Sequence, residues 1–410
     1  MHIDFNSYFA SVEQQANPHL RGKPIGVTGG DKQSLRLPDG SLRIKRTVLG
    51  AASIEAKKFG VKTGMQIWEA KRLCPQIIIV PGNSDKYLTV TTKFINILKD
   101  YTPYLEVFSI DECFLQLVGG SSPIIIAQII KRRIRDEIGK FIKCSVGISY
   151  NKLMAKLAGS LQKPDGLVVI ENEKKAMEVL DKIPLDEICG IGFRIKRRLN
   201  NMGIFNFKSL RGVPLDILLL EFKSYGNFLY NASRGIDHTE VIPFFEKEEV
   251  KSISHRYTLE CDTSDVEQIK QSLLKLTELI ARNLRAKKLV GKTIYCWYRD
   301  SVIARSEATW QSGFTGNGMQ STIIYPQDGL EIFKAAWKIF WEIWNEREIR
   351  MIGISISNLK PITPQNLTLL PEGQKQEKII QALDKINNKF GEFSLQRAIL
   401  LNNSYQRRPQ

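Results

Sequence analysis

Histidine is scarce in this sequence, four in 410 residues at positions 2, 19, 238 and 255, which disfavours chemistry built on an imidazole acid–base pair. The six cysteines are scattered and form no C-x-x-C pair, which argues against a structural zinc site and a disulfide framework. A reducing, cytoplasmic setting is the expectation. No apolar run reaches the ~20 residues that cross a bilayer, and no apolar signal core opens the chain. Pro123–Ile130 is too short and leads into a basic run. Internal repeats and low-complexity tracts are also missing.

Positive charge, by contrast, is in excess. The formal net charge is +16, which favours a polyanionic partner such as nucleic acid, because neutralised phosphates release condensed counterions. Hydrophobic content of 43% and charged content of 25% are ordinary for a globular protein, and the length predicts two to four compact units.

The chain opens in a strand, Met1–Asn6, whose alternation puts Ile3 and Phe5 on one face and His2, Asp4 and Asn6 on the other. A short helix carries Phe9, Val12 and Ala16 on one side and stops at Asn17-Pro18. Lys23–Val27 reads as a strand. Two alternating arms around Pro38-Asp39-Gly40 read as a basic hairpin at about 33–46. Helices follow near 53–59 and 65–73, then a long amphipathic helix capped by Ser84 and ended by Pro103. Strands at 105–108, 113–117, 143–149 and 167–170, with helices at 123–138 and 151–162, complete an α+β layer. Residues 173–244 are helical with short turns. After a charged linker, strands near 252–259, 293–298, 321–324 and 351–356 alternate with helices near 266–285 and 329–344 as a second α+β unit. A polar tail ends in an amphipathic helix at 374–390.

Three carboxylates stand out. Asp4 faces out of the first strand, and Asp111-Glu112 lie where a later pair of strands meets. If those strands are neighbours, the three converge at one rim. Hard oxygen ligands of this kind hold two Mg²⁺ ions about 3.5–4 Å apart, as phosphoryl transfer requires, with no histidine. Without context, the same residues read as a solvated acidic turn and a surface aspartate.

The surrounding motifs supply that context. Asp4–Glu13 (DFNSYFASVE), Leu20–Ile25 (LRGKPI), Glu55–Met65 (EAKKFGVKTGM), Ser109–Leu115 (SIDECFL), Ser145–Lys152 (SVGISYNK) and Lys163–Gly166 (KPDG) occur in that order. They resemble the Y-family translesion DNA polymerases of the bacterial UmuC/DinB type, and the resemblance runs from residue 2 to about 400. It implies an α+β multidomain right-hand polymerase. The ferredoxin-like palm would be 1–8 and 82–172, small fingers 9–81, a helical helix–hairpin–helix thumb 173–244, and an α+β little finger 251–360. Residues 361–410 would form a C-terminal tail.

The resemblance also implies roles for individual residues. Asp4, Asp111 and Glu112 would be catalytic and, with the Phe5 carbonyl, would hold two Mg²⁺ ions, Mn²⁺ being a possible substitute. Ser7, Tyr8, Phe9, Lys57 and Lys163 would bind the incoming deoxynucleotide. Phe9 would be the steric gate that leaves no room for a ribose 2′-hydroxyl; the plainer reading is a core aromatic. Lys163 would face the triphosphate and offset charge on the leaving pyrophosphate. Asn6 stands where many members have a second aspartate and is not counted as a ligand. The family's fingers usually carry a Thr and a Tyr–Arg pair; Ala51, Ile54 and Lys57 stand there, so both hydroxyls and the bidentate fork are lost. The cations of the 33–46 hairpin are as well explained by a plain surface hairpin as by a substrate contact.

Gly190-Ile191-Gly192, followed by Arg194 and Lys196, reads as a helix–hairpin–helix whose backbone N–H groups suit a DNA phosphate. Lys251, His255 and Arg256 lie in what resembles the first strand of the little finger, where they would grasp DNA without reading its sequence. Gln365, Asn366, Leu367, Leu369 and Leu370 form a loose copy of the peptide that docks bacterial polymerases on the sliding clamp. The expected partners are primer–template DNA and dNTP, with the sliding clamp as a further candidate, no membrane and a monomeric subunit. The expected function is low-fidelity translesion synthesis in damage tolerance, tied to the SOS response. The alternative is a catalytically weak DNA-binding adaptor; such relatives usually lose the carboxylates, and this chain keeps all three.

Overall fold

The computed structural model describes residues 1–29, 47–246, 249–301, 316–323, 325–326, 328–362 and 371–400. They form two compact units, Met1–Lys247 and Glu248–Gln410. The expected basic hairpin at 33–46 and the leucine-rich peptide at 365–370 lie outside the described residues.

In the first unit, a five-stranded sheet runs in the order Leu105–Val107, Glu112–Leu115, His2–Phe5, Cys144–Ser149, Leu167–Ile170. All neighbours are antiparallel except the last pair. The first strand is therefore central, and its apolar members Ile3 and Phe5 are buried in a core with Phe94, Leu98, Leu105 and Ile130. Helix Ser84–Lys99 brings Tyr87, Thr91, Phe94 and Leu98 to that core on one amphipathic face. Its cap is Asn83, whose side chain accepts the Lys86 N–H, so the expected cap at Ser84 moves back by one residue. Helix Pro123–Arg133 continues into a wider π-helical turn, Ile134–Ile138, where an uninterrupted α-helix was expected.

A second sheet, Leu49–Ala52, Ile25–Thr28 and Ile78–Pro81, carries a smaller core around Leu49, Val61 and Ile67. Two of its strands escape a reading of the sequence. Leu49-Gly50-Ala51-Ala52 has weak β propensity, and Ile78–Pro81 ends in proline. Both exist because they pair with Ile25–Thr28, one antiparallel and one parallel. The helical region expected at 173–244 ends earlier, with helix Tyr225–Ala232. The chain then lies along the outer strand of the five-stranded sheet, with the Phe244 N–H donating to the Leu105 carbonyl at 2.7 Å.

In the second unit, a four-stranded antiparallel sheet has the order Gly316–Thr322, Thr293–Asp300, Ile349–Ser357, Ser252–Thr263. Helices Val266–Ala286 and Gly329–Ile343 cover the face that presents Ile294, Cys296, Ile352, Ile354 and Ile356. The strand expected at 321–324 lies earlier, as residues 316–322. The last helix, Pro371–Phe390, docks on this unit through a bidentate Arg285–Asp384 pair at 2.6 and 2.8 Å.

Candidate active site

Strand register decides how the acidic residues meet. Asp4 is the direct cross-strand partner of Glu112, and the Phe5 N–H donates to the Asp111 carbonyl at 3.0 Å. The side chains are engaged differently. Asp4 lies against Lys163, Nζ to Oδ1 2.5 Å, and Glu112 against Lys156, Nζ to Oε2 2.5 Å. Asp111 accepts the Ser109 hydroxyl at 2.7 Å. Among the described residues, no three His, Cys, Asp or Glu side chains stand close enough to form a ready metal cage.

Electrostatics separates the two carboxylates that share the rim. Burial pushes the Asp4 carboxyl up to about 6, against the pull of Lys163. Glu112 is held well below the usual carboxylate range by the neighbouring His2 imidazole and the Lys156 ammonium. His2 Nε2 is 3.9 Å away, a through-space contact, so Lys156 makes the direct bond. Burial lowers the pKa of His2, and neither ring nitrogen has a hydrogen-bond partner among the described residues. The donor set suits a hard divalent cation: carboxylate oxygens beside a backbone carbonyl, with Asp4 buried on the rim.

A cleft of about 720 Å³ opens beside Asp4 and Asp111. Its lining includes Phe5, Ser7, Tyr8, Phe9, Lys57 and Lys163, so the structure gathers every residue expected at the nucleotide. Their side chains differ in availability. The Phe9 ring stacks on Tyr87, centroids 4.3 Å apart, and Tyr87 is fixed from behind by Glu13 at 2.9 Å. Tyr8 is buried and its hydroxyl is engaged by Tyr87 and Thr91, both at 2.8 Å, so no free phenol faces the cleft. Ser7 sits at φ 50 before helix Tyr8–Ala16, and its buried hydroxyl has no partner among the described residues. Ala51 and Ile54 line the cleft without hydroxyls, as their alignment implied. Lys58 and Thr63 also line it; nothing in the one-dimensional pattern distinguishes them from neighbouring surface residues.

Comparison with known proteins decides the family. Residues 3–160 match the impB/mucB/samB family, and residues 250–369 match its C-terminal domain. The chain is 35% identical to a DNA polymerase IV of Moorella thermoacetica, over 97% of this chain and 95% of that protein. It is 34% identical to a DNA polymerase IV of Pelotomaculum thermopropionicum, over 97% and 94%. It is 30% identical to DNA polymerase IV 1 of Bacillus subtilis, over 95% and 90%. A solved Y-family DNA polymerase chimera superposes with a TM-score of 0.73 at 26% identity, over 88% of this chain and 99% of that one. The chain belongs to the Y family of DNA polymerases.

Elsewhere in this polymerase, the expected DNA-facing residues divide. Gly190 has φ 105, and a Cβ there would lie 2.6 Å from the Phe228 ring, so the turn requires glycine. Gly192 caps helix Phe193–Asn201 with open space around it, and Arg194 is exposed. Lys196 is paired with Asp186 at 2.7 Å. On strand Ser252–Thr263, Arg256 is exposed, as is Lys251 just before it. His255 shares the inward face with Ile253 and Leu259, and its ring lies 2.9 Å from the Asn283 amide. The period of two therefore turns His255 toward the helices, away from the role expected beside Arg256.

Proposed function

We propose that this DNA-directed DNA polymerase extends a primer by two-metal nucleotidyl transfer and acts in translesion synthesis. The observation that carries the reading is that Asp4, the cross-strand partner of Glu112, lines a cleft together with Asp111, Lys163 and Phe9. Asp4, Asp111, Glu112 and the Phe5 carbonyl would hold two Mg²⁺ ions, or Mn²⁺ in their place. When bound, the ions activate the primer 3′ oxygen and neutralise charge on the departing pyrophosphate.

The chain's own groups do the rest. Lys163 and Lys156 keep the rim carboxylates compensated before catalysis, and Lys163 then faces the triphosphate. The Phe9 ring, backed by Tyr87, excludes a ribose 2′-hydroxyl. Lys57, with Ser7 and the main chain of Tyr8, completes the nucleotide grip. In the thumb, Gly190, Gly192, Arg194 and Lys196 would hold DNA phosphates; in the little finger, Lys251 and Arg256 would. The partition is palm 1–8 and 82–172, fingers 9–81, thumb 173–244 and little finger 251–360. The docked helix Pro371–Phe390 argues for extending the last unit past the boundary at 360. Docking of 365–370 on the sliding clamp would raise the local concentration at primer ends. A monomeric cytoplasmic subunit serving DNA repair under SOS control fits this reading.

Primer extension on a gapped template tests it. Extension is expected with Mg²⁺ and not with EDTA, and it should continue opposite an abasic site. Tight DNA binding without any extension would turn the reading to an adaptor.

A further inference from the structure

We propose that an exposed row on the fingers, from Val48 through Gln66 to Trp68, carries the unpaired template strand as it enters the cleft. The row starts at the cleft itself. Gly50 lines the cleft and faces Phe9, with its virtual Cβ 4.0 Å from the Phe9 ring. Val48, two residues away along the chain, is 47% exposed, and Gly50 is exposed too, while Leu49 between them is buried. Val48 forms an antiparallel bridge with Gln66, and the Ile67 N–H to Thr47 carbonyl bond at 3.2 Å closes the pairing. The Gln66 side-chain oxygen then accepts the Trp68 indole N–H at 2.6 Å.

Trp68 is half exposed, though its neighbours Ile67 and Ala70 are buried in the fingers core. Its ring is held in two ways, by the Gln66 bond and by the Arg72 guanidinium 5.7 Å from the ring centroid, one helical turn on. A large aromatic face fixed at the surface and flanked by a cation is a stacking platform. Every base has a π-face, so such a platform accepts unpaired strands whatever their sequence. Charge agrees: residues 57–73 contain Lys57, Lys58, Lys62, Lys71 and Arg72 against Glu69 alone. Steps of roughly 7 Å along the chain and roughly 5 Å across the bridge keep the row within a few nucleotides of the cleft.

This rests on the templated-synthesis reading above, and its test is separable from it. The dissociation constants of the full chain are compared for one primer–template duplex, blunt or with about six unpaired thymidines on the template 5′ side, at fixed salt. The overhang should tighten binding about tenfold; Trp68→Ala should remove that gain, and Trp68→Phe should keep most of it. An overhang gain that survives Trp68→Ala, or no gain in the unaltered chain, overturns the proposal. A Trp68-dependent gain in a protein that extends no primer would overturn the polymerase reading and leave the track standing. Extension with a Trp68-independent gain would do the reverse.

Discussion

The Asn6 side-chain oxygen accepts the backbone N–H of Asp165 at 2.7 Å, while its amide nitrogen donates to the Ser145 hydroxyl at 3.0 Å. Asn6 is buried just past the end of the first strand, and Asp165 lies two residues after Lys163. One amide thus ties the central strand to the loop whose lysine reaches Asp4. Both polar ends of the Asn6 amide are engaged in this tie, which anchors the Lys163 loop. Asn6→Ala should cost about 1–3 kcal/mol in urea unfolding, the penalty for leaving the part-buried Asp165 N–H and the buried Ser145 hydroxyl without this partner. It should also raise the KM for dNTP more than it lowers kcat. Asn6→Asp keeps an acceptor for Asp165 and should stay near the parent on both measures.

Asp111→Ala should reduce primer extension by roughly 10²–10³-fold or more, in line with removal of one pre-placed charge from an active centre. DNA affinity in a gel-shift assay should persist, because the Asp111 side chain bonds to Ser109 within its own turn and its backbone bond to Phe5 is kept in the variant. Equal loss of affinity and extension would assign Asp111 to the fold.

Phe9→Ala should raise ribonucleotide incorporation relative to deoxynucleotide incorporation by tenfold or more, an estimate from the ~1.4 kcal/mol equivalent of one excluded contact. The ring is stacked on Tyr87 and partly exposed to the cleft, so the fold should survive. Ribonucleotide use that stays low in this variant would make Phe9 a plain core aromatic.

Two glycines in one turn should respond in opposite ways. Gly190→Ala forces a left-handed φ of 105 onto a side chain and drives its Cβ into Phe228, so stability should fall by ~1–3 kcal/mol. Gly192→Ala meets open space at φ −80 and should fold normally. Thermal unfolding of both variants checks this.

Salt titration of DNA binding should separate two neighbours in the little finger. Arg256→Ala should weaken binding and reduce the salt slope by about one. His255→Ala should leave the slope unchanged, since its ring packs toward Asn283.

The acidic rim was legible in the sequence because its motifs are local. Asp4 lies in a strand with clear alternation, and Asp111-Glu112 lie in a turn between two strands. The small sheet of the fingers was only half legible. Leu49–Ala52 lacks strand-like composition, and Ile78–Pro81 is short and ends in proline; both pair with Ile25–Thr28, a partner 21–26 residues from one and 53 from the other. His255 and Arg256 are adjacent basic residues in one dimension; only the sheet's choice of covered face distinguishes them.

The sequence by itself therefore determined the family, the order of motifs, the identity of the three carboxylates and the absence of hydroxyls at Ala51 and Ile54. These are properties of residue type and local spacing. Tertiary structure alone decided the rest: the Asp4–Glu112 register, the lysines that pair with these two carboxylates, the Asn6 tie to the Lys163 loop, and the entry of Lys58 and Thr63 into the cleft. Each joins residues far apart in the chain. Such pairings are set by burial and by strand register, and neither is written in a local window.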